Sequence, residues 1–248
     1  METSIPKIST VLKTLLRADF TTQWRNRRAV ILTLIVPVII LTTWKPLVAQ
    51  IGGAFVLSNS ITIGLVAIGL MGYSTAIARD REKGVFQRLR VAPISSWAIM
   101  TSRLLVQMAM IILITTAVFV VGHSYDQVSL SPAGYIVTYF TAIIGGALYL
   151  SLGQMIVGRI NNAETVNSTV RLVYFVFIMV GMIGQFYKNP EFQNIVQWSP
   201  YGTVKTILAA GMEPSKWDKN ASMALLVTLG YTVVCTVLGI KWFKWSIK

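Results

Sequence analysis

Of the 248 residues, 54% are hydrophobic and only 12% charged, against about a quarter charged in soluble domains, so a soluble globular fold would leave the apolar runs unburied. The net charge of +13 is spread between those runs rather than gathered on one domain, which speaks against a nucleic-acid-binding module. A single cysteine, Cys235, and a single histidine, His123, exclude a disulfide framework and the paired-histidine zinc motifs.

No signal peptide is expected, because 28 mostly polar residues precede the first apolar run. Within them, "IPKISTVLKTLLRADF" places Ile8, Val11, Leu12, Leu15 and Leu16 at helical spacing, with Lys7, Lys13 and Arg17 on the other face. This predicts an amphipathic helix along the inner membrane surface, the alternative being a helix packed on the protein itself. Asp19 falls in the apolar stripe, so the pattern should end near Ala18.

Six runs free of Asp, Glu, Lys and Arg follow: Ala29–Trp44, Ile61–Ala78, Leu104–Val121, Ala133–Val157, Leu172–Tyr187 and Ala221–Ile240. A helix needs about 20 residues to cross a bilayer core. The first run is short and can be completed by Arg28 and Lys45 reaching the interfaces, with a kink at Pro37. The fifth should begin earlier, near Ala163. Of the 22 basic residues, 17 lie in the N-terminal segment, the loops after spans two and four, and the tail, so both termini are expected in the cytoplasm.

Between spans two and three, "RDREKGVFQRLRVAPIS" concentrates five basic and two acidic residues. On a helical wheel from Arg81, Val85, Phe86 and Leu89 share one face with Glu82 among them. Arg81 and Arg88 flank one edge, Lys83 and Arg90 the other. Pro93 should stop this helix, and Ser95 or Ser96 should cap the next. The positive-inside rule explains the arginines but not Phe86 and Leu89 in their midst, so the segment is expected to be a docking knob. Tyr187 to Asn220 is half apolar and broken by Pro190 and Pro200, which predicts short interfacial or re-entrant helices.

Chemistry is sparse. There is no P-loop motif, and His123, Ser124 and Asp126 are too crowded on one loop for triad geometry. No span carries an acidic residue or histidine for an ion relay. The strongly polar residues well inside spans are Gln107, Gln154 and Gln185, which could line a passage but serve better as hydrogen-bonding glue between helices. Gly64, Gly69, Gly72, Gly145, Gly146 and Gly153 read as close helix packing. Without charge in the spans, cargo should be uncharged, or amphipathic with a large apolar part; Lys188 and Lys205 could meet an anionic group at the outer mouth.

The run from Ala78 to Leu105 resembles the signature of type-2 ABC exporter permeases. The matching positions are Asp80, Arg81, Glu82, Gly84, Leu89, Pro93, Ile94 and Ser95, and Ser102-Arg103 stands where the family has Gly-Lys. "WSPYGTVKTIL" is similar to the family's stretch before the last span, with Ser199 in place of Asn. The resemblance implies an all-α membrane protein: residues 1–28 form the cytoplasmic amphipathic helix, and residues 29–248 a six-span domain with a coupling loop over 79–103 and an outer re-entrant segment over 187–220. It further implies a second permease copy or a related permease, and separate ATPase subunits that bind ATP and magnesium, this chain holding no cofactor. ATPase coupling would fall to Arg79, Asp80, Arg81, Glu82, Gly84, Val85, Phe86, Leu89 and Pro93. The compact chain looks most like the drug- and antibiotic-resistance branch, in a bacterial inner membrane. A membrane scaffold or receptor without a transport path, or an ion-coupled carrier, are the alternatives.

Overall fold

A computed structural model describes residues 8–25, 27–91, 96–187 and 189–243. All regular elements among them are helices. Helix α1 (Ile8–Arg25) runs past the expected end at Ala18. Asp19 does not break it, because its carboxylate turns toward the third span and accepts a hydrogen bond from Ser102. The helix thus packs on the protein, while Phe20 and Trp24, stacked with ring centroids 6.1 Å apart, stay exposed.

Helix α2 (Arg27–Thr43) continues through Pro37, and a bend of 61° follows at Trp44, where α2 meets α3 (Lys45–Ile51). Pro46 sits in the first turn of α3, where its missing N–H costs nothing. The Pro37 ring lies close to Gly64.

The second span is far longer than the Ile61–Ala78 run read from the sequence. Helix α4 (Gly53–Val66), a π-helical stretch (Ala67–Ser74) and α5 (Thr75–Glu82) form one 30-residue helix. Ser58, Asn59 and Ser60, which read as a boundary, lie fully inside the protein. Ser58 Oγ donates to Phe55 O (2.8 Å), and Asn59 Oδ1 accepts from the Tyr201 hydroxyl (2.6 Å), so most of that polarity is satisfied within the bundle. From Val56 to Leu70 this helix is buried all round, the pattern of a central helix.

After the short α6 (Val85–Val91) come α7 (Ser96–Ser124), α8 (Pro132–Arg159) and α9 (Ala163–Phe186). Helix α9 begins where expected, with Asn162 accepting from Thr165 N at 2.9 Å. The segment before the last span folds into α10 (Pro190–Trp198) and α11 (Pro200–Met212), and α12 (Lys219–Trp242) closes the fold. Among the described residues five helices are long and apolar enough to cross a membrane, or six when the bent α2–α3 pair is counted as one span. α8 crosses the central helix where Gly69 meets the Tyr149 backbone and Gly153 meets Gly69 O; a Cβ at either would lie 2.6 Å or less from the other helix. The expected close packing is also seen at Gly64, Gly145 and Gly146. Gly72 differs, since nothing comes within 3.7 Å of a Cβ placed there.

Candidate functional site

The charged segment after span two is two helices, not one. Gly84 takes a left-handed conformation (φ 65°), and its N–H bonds to Arg81 O at 3.1 Å, closing α5 before α6 begins. Such a break re-phases every side chain that follows, so the wheel drawn from Arg81 does not hold. Arg81 is not on a docking edge. It is 2% exposed, with Nη1 donating to Val157 O (2.8 Å) and Nη2 to the carbonyls of Ile160 and Asn161 (3.0 Å to Asn161). It thereby caps the C-terminal end of α8, where a cation is favoured.

Phe86 is corrected in the same way. It is 1% exposed and packs edge-on against Phe243 after the last span, centroids 6.0 Å apart. The Arg103 guanidinium lies over its ring at 4.9 Å and pairs with Asp80 at 2.7 Å. Asp80 is therefore engaged inside the protein, and Val85 is half-buried. Glu82, expected among the apolar side chains, is exposed instead, as are Arg79, Lys83, Gln87 and Arg88. The outward face of this segment is charged and polar. Pro93 and the side chain of Leu89 lie outside the described residues, as does the Ser95 cap.

Ser102-Arg103, the departure from the resembled motif, is the centre of this junction. Ser102 ties it to α1 through Asp19, and Arg103 ties it to α5 and α6. Burial raises the Asp19 carboxyl above the usual carboxylate range; the Ser102 hydrogen bond and Arg103 oppose the rise, while Asp80 adds to it. Behind the junction a cavity of about 40 Å³ is lined by Asp19, Gln23, Tyr73, Arg103 and Gln107. Gln107 Oε1 is buried there without a partner among the described residues, in space for about one water.

Gln154 accepts from the Tyr73 hydroxyl (2.8 Å), joining α8 to the central helix. This bond has the helix-bridging form expected of it. The Gln185 side chain lies outside the described residues. At the opposite end of the bundle, Lys45 Nζ donates to Tyr125 O (2.9 Å) and lies over the Tyr125 ring. His123 and Ser124 are exposed while Asp126 is buried, so the three do not assemble.

At that same end, three tyrosines pin the short helices into the bundle, a feature missed in the sequence. Tyr201 donates to Asn59, Tyr149 to Pro200 O (3.1 Å) and Tyr231 to Trp198 O (3.0 Å). Ser199 caps α11, accepting from Gly202 N at 3.1 Å, the task an Asn performs equally well. A Ser-Pro pair opening a helix was the visible signal; the Asn59 partner carried none, because it stood before the start of the second run at Ile61.

A multi-pass helical bundle with an ordered charged junction at one end and inserted short helices at the other has the build of a membrane permease. Residues 10–209 match the family described as ABC-2 type transporter. A protein of Bacillus subtilis (strain 168), YvfS, described by name as a transport permease, is 22% identical over 191 residues, covering 75% of each chain. The chain belongs to the ABC-2 type transporter family.

Proposed function

We propose that this permease moves cargo outward, driven by ATP hydrolysed on a separate ATPase subunit that docks on the segment from Arg79 to Arg88. The observation that carries the reading is the junction itself. Part of the outward charged face stands on α5, the end of the central helix, and Arg81, Asp80–Arg103 and Phe86 tie the segment to α8, α7 and Phe243, so a push there has a route into the bundle. Docking rests on Arg79, Glu82, Lys83, Gln87 and Arg88, while Phe86 sets the orientation of α6 from within. Both termini lie in the cytoplasm of a bacterium, in keeping with the distribution of basic residues. The apolar outer faces of α9 and α12, including Leu172, Phe175, Val233 and Val237, are available to lipid and to a second permease copy.

The test is reconstitution in vesicles with a co-expressed ABC ATPase. ATP-dependent efflux of an apolar fluorescent amphiphile that requires both subunits supports the reading. Efflux driven by an ion gradient without the ATPase would overturn it in favour of a secondary carrier.

A further inference from the structure

At the end of the bundle opposite the junction, a cavity of about 570 Å³ opens between α3, α10, α11 and the start of α12. That is the size of a small-molecule site. Ile51, Phe55 and Val196 give it an apolar wall. Lys205 on α11 is half-buried in it, its Nζ 4.5 Å from the centre of the Phe55 ring. Among the described residues no carboxylate pairs with it.

The acids of the lining are otherwise occupied. Glu213 pairs with Lys216 at 2.8 Å, and Asp218 caps α12, accepting from Ala221 N at 2.8 Å. A leucine at position 205 would serve packing as well. A half-buried ammonium with no counter-charge costs desolvation that only water or an anion recovers, and ionisable groups placed this way mark binding sites. The aromatic ring holds the ammonium on one side and leaves its remaining donors to the cavity.

We propose that this cavity binds one anionic group, phosphate or carboxylate, carried on an apolar body, with Lys205 holding the anion and the Phe55–Val196 wall the body. The anion can come from the headgroup of a membrane lipid or from an amphiphile arriving in solution. The site does not depend on the direction of transport or on the ATPase.

The experiment titrates the purified full chain, in dodecyl maltoside, with dodecyl phosphate by calorimetry. Saturable binding is expected; it should weaken at least about tenfold in Lys205→Gln and recover in Lys205→Arg, since truncating one partner of such a pair is costly. Lys219→Gln, an exposed lysine outside the lining, should bind as the parent does. A second readout needs no variant: dodecyl phosphate should protect Lys205 from an amine-reactive reagent, read by mass spectrometry. In nanodiscs, protection by phosphatidylglycerol but not by phosphatidylcholine alone identifies a lipid source; protection by added dodecyl phosphate alone identifies a soluble one. Equal binding by Lys205→Gln, equal binding of dodecyltrimethylammonium, or unchanged labelling of Lys205 overturns the proposal.

Discussion

Replacing Arg81 by Gln removes the donors for three carbonyls at and just past the end of α8, that of Val157 buried and those of Ile160 and Asn161 part-buried. Charge-assisted hydrogen bonds are worth about 1.5–3 kcal/mol each when their loss strands a buried partner. The variant should therefore lose several degrees in its thermal midpoint in detergent, and Arg81→Lys should rescue little because an ammonium cannot span the fork. Gly84→Ala meets a φ of 65° and should cost about 1–2 kcal/mol, read in the same melt. Asp19 behaves oppositely. Its folded pKa is raised by burial, so the ionised form opposes folding, and the penalty fades as pH falls through that raised value. Asp19→Asn, which can still accept from Ser102, should melt higher than the parent at pH 7. The gap should close as the pH is lowered toward about 4; a gap that widens would contradict the assignment. None of these roles was legible in the residues alone. The wheel through Arg81 and Phe86 assumed an unbroken helix, and only the left-handed Gly84 reveals how the two are turned inward.

At the scale of elements, the spans were legible because lipid forbids charge, and six uncharged runs stand out between basic loops. The start of the fifth span near Ala163 was legible too, and Asn162 caps it. The ends of α1 and of the second span were not, because each depends on a partner distant in sequence. Asp19 needs Ser102, and Asn59 needs Tyr201. The latter bond pins α11 to the central helix. Tyr201→Phe should cost about 0.6–1.7 kcal/mol, the range for hydrogen bonds between membrane helices, and should raise proteolytic cleavage within residues 187–220. Unchanged cleavage would mean that packing alone holds α11. Phe86→Ala empties a closed aromatic contact and should cost about 3–5 kcal/mol, with Phe86→Leu milder. That pattern belongs to a residue that orients α6, since a docking contact would change partner binding and leave the melt untouched.

For the whole molecule, the proposed coupling is mechanical: a charged face outside, a bonded junction behind it, and a central helix through which displacement would enter the bundle. Single exposed charges contribute under about 1 kcal/mol, so neutralising one of them is a weak test. Reversing two places like charges against each other and costs several kcal/mol at an interface. The decisive measurement is ATP hydrolysis by the co-purified ATPase partner in vesicles carrying Glu82→Lys together with Arg88→Glu. Both side chains are exposed, so the thermal midpoint of the permease should stay where it is. Partner retention and cargo-stimulated hydrolysis should fall at least about tenfold. Full retention and normal stimulation in this double variant would contradict the claim that the Arg79–Arg88 face is where the ATPase drives the protein.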